Sequence, residues 1–447
     1  MLSAFLVKTS LSASELLQHC HLLDHPALFF SGTSGHPANE SASTQPASDA
    51  YAVLTCQPTQ TCTAFTQAEL THLLDQIRQP SASVNSGHGM FQSGWAGYLS
   101  YDAGRALTSE DTCPSDTPLA EFHDYPLSIR LNLRTDECLI QNPRHLPEAD
   151  VLAFIATISA HLQHTTAAHT IQHARLPNWS PRWTPSEYHA AFDQVQEYLL
   201  SGDVYQVNLA MPFQCPDDLR HGNPCQLLQR FNAPFSCYFR TPHLTLFSVS
   251  PERFIRIDGE TITASPIKGT IPRGENKAQD DANRAWLAAS EKNRAENLMI
   301  VDLLRNDIGR SAQAGSVSVP HLFTIESHAN VHHMVSTISA RKSHSLSALD
   351  AIINAFPGGS ITGAPKRRAM EIIDELECLP RGLYCGSFGY LDDSGLADFN
   401  ILIRSIIATE RGATCWGGGG LVTDSTADSE YDEIHGKIDR ILETPMS

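Results

Sequence analysis

Hydrophobic and polar positions run along this chain in two rhythms, and the clearest helical one opens at Thr184. Thr184 can cap, Pro185 suits the first helical position and Glu187 completes a capping box, so a helix is predicted from there to Gly202, a good left-handed terminator. Short apolar runs bounded by turn residues then predict strands over Val204–Met211, Leu244–Val249, Phe254–Ile257 and Thr261–Ala264. Two longer patterns at helical spacing, Ala278–Arg305 and Pro365–Glu377, predict helices. Strands are predicted again over Gly386–Leu391 and Ile401–Thr409, and a closing helix from about Asp428. Upstream, residues 1–163 read as a mixture of short strands and helices, with loops over Ser34–Asp49 and Ser81–Gly89 and a strand-like alternation in GWAGYLSYDAGR, residues 94–105. The polar, proline-bearing stretch 164–183 separates that region from residues 184–441. The order of elements predicts an α+β fold, helices on large and mainly antiparallel sheets.

Composition narrows the partners. The chain has 447 residues, 41% of them hydrophobic, and 31 Lys+Arg stand against 49 Asp+Glu for a formal charge of −18. Such a surface repels nucleic acid and anionic lipid, so neither is an expected partner, and any anionic ligand must be captured locally by placed cations, a metal or backbone N–H groups. The eleven cysteines form no CxxC pair and no regular ladder, which excludes the usual zinc and disulfide patterns. No apolar stretch is long enough to span a bilayer and the N-terminus lacks a signal peptide's apolar region, so a reducing cytoplasm is expected.

Several residues could carry chemistry. Lys268, in SPIKGTIPRG, stands among Pro266, Gly269 and Gly274, in backbone shaped for close approach. A surface lysine in a turn is the commoner reading; to act as a nucleophile it must lose a proton to a neighbour such as Glu252 of SPERF. Glu430, Glu433 and Lys437 share one helix face, and Asn293 and Glu296 share another. Alone each is a solvated face, but two such faces converging would offer the one or two carboxylates that Mg²⁺ takes from protein. The loop FPGGSITGAP, residues 356–365, leads into a helix start that could hold a carboxylate near Ser360 and Thr362. Gly417–Gly420 is a second close-approach backbone, whose bland reading is a bulge or glycine corner. Arg404 interrupts an apolar run and needs a carboxylate partner; His333 lies in an apolar strand, where a histidine is more often a satisfied core residue than a catalyst.

Taken in order, SGDVYQVNLA, SPERF, SPIKGTIPRG, NRAENLMIVDLLRNDIGR, VHHMVSTI, FPGGSITGAPKRRAMEIIDELE, CGSFGY, IRS and GGGGLVTDS resemble the chorismate-utilising enzymes over about residues 184–441, with a looser match before 164. The resemblance implies a sandwich of two antiparallel sheets flanked by helices. It also implies a mechanism: Lys268 attacks C2 of chorismate as the C4 hydroxyl leaves, then ammonia adds at C4 and expels the lysine, giving 4-amino-4-deoxychorismate. By the same resemblance Glu252 is the general base and His333 assists the leaving hydroxyl. Glu296 and Glu433 are direct Mg²⁺ ligands, with Glu430 behind them, and Asn293 departs from the glutamate of the anthranilate-forming members. Tyr390 and Arg404 are implied to hold the enolpyruvyl carboxylate, and Gly269, Thr270, Ser360, Gly418, Gly419 and Lys437 the rest of the substrate. Gln206 stands where the water-adding members carry a lysine, which disfavours isochorismate synthesis, and Lys268 stands where anthranilate-forming members carry a small residue. No glutaminase elbow is present, so a separate glutamine amidotransferase is the expected partner. Ser31 and Tyr238 lie in segments that resemble the frame of a tryptophan pocket. The rival readings are an anthranilate synthase component I and a non-catalytic relative that binds chorismate or an amidotransferase.

Overall fold

The computed structural model describes residues 6–9, 11–30, 51–78, 89–108, 116–166, 176–327 and 331–446. Two antiparallel sheets face each other across a shared core. The first has twelve strands, running in the order Leu6–Lys8, Glu137–Gln141, Ser128–Asn132, Tyr51–Thr55, Ala27–Phe30, Phe235–Arg240, Thr245–Ser250, Ser405–Thr409, Gly412–Leu421, Gln206–Cys215 and Gly363–Ala364, with Ser180–Pro181 beside Gln206–Cys215. The second has ten, from Ile267–Pro272 through Val331–Arg341, Thr261–Ala264, Arg253–Asp258, Ala397–Asn400, Ser387–Asp392, Gly94–Leu99 and Ala120–Tyr125 to Gln60–Ala64, with Ser318–Ser327 on the other side of Val331–Arg341. Ala27, Phe91, Tyr98, Cys237, Phe239, Leu246, Phe388 and Ile407 pack between the sheets. Helices cover both outer faces, as with Ile434 and Ile438 under the first sheet and Ile300 and Leu304 under the second. The α+β sandwich expected from the sequence is the fold found.

Because both faces of most strands are covered, the strands read as continuous apolar runs; Thr245–Ser250 is buried at every position. Neither sheet respects the boundary near residue 164: Ala27–Phe30 pairs with Phe235–Arg240, and Gly94–Leu99 with Ser387–Asp392.

The helix start at Thr184 is as read. Pro185–Ser201 begins with a complete Thr184–Glu187 capping box and ends at Gly202 with φ 82°. Replacing Thr184 by alanine is expected to cost about 1 kcal/mol of stability, measured by chemical unfolding, with no change at the cleft described below. Three expectations differ. The stretch Ala278–Arg305 is two helices, Lys277–Ala289 and Glu291–Gly309, because Ser290 adopts an extended conformation and caps the second through Asn293 N–H. The alternation in residues 94–105 is a strand only to Leu99, and Tyr101–Thr108 is helical. Of Ile401–Thr409 only Ser405–Thr409 is strand, since residues 401–404 carry the chain from one sheet to the other. The expected loop Ser34–Asp49 and most of Ser81–Gly89 lie outside the described residues.

Candidate active site

The chain changes sheets twice at one place, and the cleft lies there. Thr245–Ser250 belongs to the first sheet and Arg253–Asp258 to the second, so Glu252 sits on the crossing. Ala397–Asn400 and Ser405–Thr409 are related in the same way, which puts Arg404 on the return crossing. The two crossings are bonded together: Ile401 N–H donates to Glu252 O at 3.0 Å and Ser250 Oγ to Ile401 O at 2.6 Å. Arg404 takes φ 53°, the sharp corner that lets the chain enter the first sheet.

Glu252 is the buried acid of this cleft, 8% exposed. Burial pushes its carboxyl up to about 7, against the pull of Lys268, the Ser360 hydroxyl, Arg404 and Lys437. The groups that act on it are therefore three cations and one hydroxyl donor, a local positive pocket inside a protein of net charge −18.

Lys268 lies within the strand Ile267–Pro272. Ile267 pairs with Val335 and Thr270 with His333, so one extra residue is inserted between them, and Gly269 at φ 90° absorbs it. This bulge re-aims the half-buried Lys268. A Cβ on Gly269 would meet Asn293 Cγ at 2.9 Å, so glycine is required twice over. Thr270 Oγ1 and His333 Nδ1 are 2.8 Å apart, and His333 is 9% exposed.

The glycine run is neither a bulge nor a corner. Val207–Cys215 pairs with Ala413–Leu421 without a register break, while Ser405–Thr409 reaches only Gly412–Cys415. From Trp416 onward one edge of that strand has no strand partner among the described residues, and Lys437 Nζ donates to Gly418 O there at 2.9 Å. Added Cβ atoms would meet Tyr384 Oη at 2.8 Å from Gly418, Glu430 Oε2 at 2.9 Å from Gly419 and Gln206 Nε2 at 2.8 Å from Gly420. Both faces of the run are thus closely walled, which is why it is glycine. Gln206 is 1% exposed and its Nε2 has no hydrogen-bond partner among the described residues.

The carboxylates on the two helix faces have one cation, Lys292, in common. Glu433 lies 2.7 Å from Lys437 Nζ, and although burial raises it, Lys437, Lys268 and Lys292 outweigh that and hold it below its ordinary value. Glu296 is 4.0 Å from Lys292 Nζ, and Lys292 also acts on Glu430. Burial raises Glu430, whose Oε1 accepts from Ser425 Oγ at 2.7 Å. No closed cluster of three metal-ligating side chains exists among the described residues. An open set of hard carboxylate oxygens still fits Mg²⁺, which keeps waters and shares a substrate carboxylate rather than demanding a protein cage.

Some residues lie elsewhere. Tyr390 is packed against Phe29 and Phe91, at 5.1 and 5.3 Å between ring centroids, and the charges acting on it most are Asp398, Arg256, Asp392 and Arg253. It faces the inter-sheet core and is not brought to Arg404, because its strand alternates away from the crossing. The tyrosine beside the glycine run is Tyr384, which sequence reasoning missed. Thr362 spends its hydroxyl on Gly358 O and Gly359 O, leaving Ser360 as the donor of that loop. Tyr238 is buried against Phe247 in the outer core of the first sheet, whereas its neighbours Cys237 and Phe239 face between the sheets. Ser31 lies outside the described residues. Asn208 was also overlooked: it is 7% exposed, its Oδ1 has no hydrogen-bond partner among the described residues, and a lone amide in an apolar strand was the available signal.

The cleft at the double crossing of this two-sheet α+β sandwich thus sets one buried acid among three cations. Residues 27–443 match the family described as chorismate binding enzyme, and the chain belongs to that family. It is 44% identical over 358 residues to aminodeoxychorismate synthase component 1 of Escherichia coli, covering 79% of this chain and 77% of that one. It is 33% identical over 374 residues to anthranilate synthase component 1 of Methanothermobacter thermautotrophicus, covering 82% and 77%. Among solved structures, anthranilate synthase component I from Streptococcus pneumoniae aligns over 92% of this chain and 98% of its own with TM-score 0.75 at 23% identity. The menaquinone-specific isochorismate synthase of Escherichia coli aligns over 99% and 94% with TM-score 0.68 at 16% identity.

Proposed function

We propose that this chain is the chorismate-aminating component I of an aminodeoxychorismate synthase, making 4-amino-4-deoxychorismate from chorismate and ammonia for p-aminobenzoate and folate synthesis. The observation that carries the reading is Lys268, set at a bulge and acting more strongly than any other charge on the buried Glu252. The likeness is greater to the aminodeoxychorismate synthase component at 44% than to the anthranilate synthase component at 33%.

In this reading Arg404 and Tyr384 hold the enolpyruvyl carboxylate, and the glycine strand with Lys437 lines the ring. Glu252, poised near neutrality, takes a proton from the Lys268 ammonium, and the free amine bonds to C2 while the C4 hydroxyl leaves with a proton from His333. Ammonia then bonds to C4, the C2–N bond to Lys268 breaks, and the amine returns to its resting form. Gln206 cannot serve as a base for water, which favours ammonia as the incoming nucleophile. Glu296 and Glu433, with Glu430 behind them, would hold Mg²⁺, whose charge would neutralise the ring carboxylate. The ammonia source is a separate glutamine amidotransferase subunit, and the setting is a reducing cytoplasm, in keeping with ten unpaired cysteines among the described residues. No helix of the described residues is long and apolar enough to cross a membrane.

Purified protein given chorismate, Mg²⁺ and ammonium should form 4-amino-4-deoxychorismate, resolved by mass and ultraviolet absorbance. Anthranilate as the main product, or no turnover by folded protein, would sink the reading. In Glu433→Ala the Mg²⁺ concentration for half-maximal rate should rise about tenfold or more; an unchanged metal titration would remove Glu433 from the ligand set.

A further inference from the structure

The helix Lys366–Glu377 ends beside a pair of charges that no step above uses. Glu377 and Arg381 are each 3% exposed, and Arg381 Nη2 and Nε donate to the Glu377 carboxylate at 2.6 and 2.8 Å. Burying two charges is expensive, and apolar residues of the same volume often stabilise a fold as well or better. What a guanidinium fork adds is direction. Here the remaining bonds go to two walls of the cleft. Glu377 Oε1 accepts from Ala210 N–H at 2.9 Å, Arg381 Nη2 donates to Asn208 O at 2.7 Å, and Nη1 donates to Ile361 O at 3.2 Å. The guanidinium also lies 5.5 Å from the Tyr384 ring centroid and 4.9 Å from that of Tyr101. Asn208 and Ala210 continue the strand that carries Gln206, Ile361 follows Ser360, and Tyr384 faces Gly418.

We propose that Glu377 and Arg381 form a positioning pair that fixes the Gln206 strand, the Ser360 turn and the Tyr384 ring in one mutual register, so that the cleft fits its substrate. The pair touches no substrate atom. The inference rests on the reading of the cleft as a chorismate site, but it also has a readout independent of that reading. Tyr384 stacks on Trp416, with centroids 5.5 Å apart and planes 8° apart, and that stack contributes to the near-ultraviolet circular dichroism.

The test compares Arg381→Lys, the double variant Glu377→Met/Arg381→Met, and Arg144→Met as a control. Arg144 bridges Asp124 and Asp393, neither of which lies on a segment of the cleft. For each, the thermal midpoint, KM for chorismate, kcat with ammonium and the near-ultraviolet spectrum are measured. In the double variant the midpoint should move little, KM should rise at least tenfold and the spectrum should change. Arg381→Lys keeps the charge but loses the fork, so it should not rescue either. Should the double variant not fold, Arg381→Lys carries the test. Arg144→Met should keep wild-type KM and kcat. Folded Arg381→Lys with wild-type KM and spectrum would overturn the proposal, as would losses that only track the folded fraction. If wild-type protein does not convert chorismate, the functional reading fails by itself, and the spectrum alone decides the positioning role: a change in Arg381→Lys sustains it and no change overturns it.

Discussion

Lys268→Ala is expected to lower formation of 4-amino-4-deoxychorismate on the order of 10³-fold, within the range spanned by single acid–base and nucleophilic groups. The loss should fall on kcat more than KM, because Arg404, Lys437 and the glycine strand remain to hold the substrate. Alanine also opens the path to C2 that the amine occupies, so nitrogen that still enters the ring should appear there, as 2-amino-2-deoxyisochorismate and, once the enolpyruvyl group is lost as pyruvate, as anthranilate. In wild-type protein, rapid denaturation during turnover should trap a chorismate-derived mass increment on the peptide containing Lys268. An alanine variant that works at the wild-type rate, with no increment trapped in either protein, would refute the covalent role.

Glu252→Gln should slow turnover about 10²–10⁴-fold and at the same time make the protein more stable above neutrality. The sign follows from the carboxyl being pushed up to about 7 from 4.5 by burial. A folded-state value above the unfolded one means that the folded protein holds the extra proton between the two, so stability is fully present below about 4.5 and is lost as pH rises through about 7. The shift corresponds to roughly 3 kcal/mol, which the neutral amide would not lose. Unfolding midpoints should therefore coincide for the two proteins at pH 4 and separate at pH 8, the variant being higher. In activity, the wild-type kcat/KM should climb as pH rises through about 7 while the variant's residual rate lacks that limb. A variant less stable than wild type at pH 8 would show that Glu252 is charged and well solvated in the fold.

How far these features were legible in the sequence depended on whether the signal was local. The Thr184–Glu187 box and Gly202 act within one helix turn, and they were read to the residue. Ser290 was lost inside a helical pattern because apolar spacing continues on both sides of a break that only its backbone angles reveal. The motif runs located Lys268, Glu252 and Arg404, but not the bulge at Gly269 or the crossings that bring them together, since register and sheet exchange are long-range properties. Tyr390 and Tyr384 illustrate the same limit. Both are tyrosines in apolar sequence on one stretch of chain, and only the direction each side chain takes from the backbone sends one to the inter-sheet core and the other to the glycine strand.

The unequal lengths of two neighbouring strands have a consequence of their own. Where Ser405–Thr409 stops short of Trp416–Leu421, one edge of the longer strand is left without a strand partner among the described residues. A bare strand edge ordinarily invites another chain, but here Lys437 Nζ donates to Gly418 O, and Tyr384, Gln206 and Glu430 stand close to the faces of the glycine run. A ring with carboxylates would complete the sheet there as a non-peptide rung. Ligand binding and sheet closure would then be one event, visible as slowed amide exchange at Gly417–Gly420 when substrate is present.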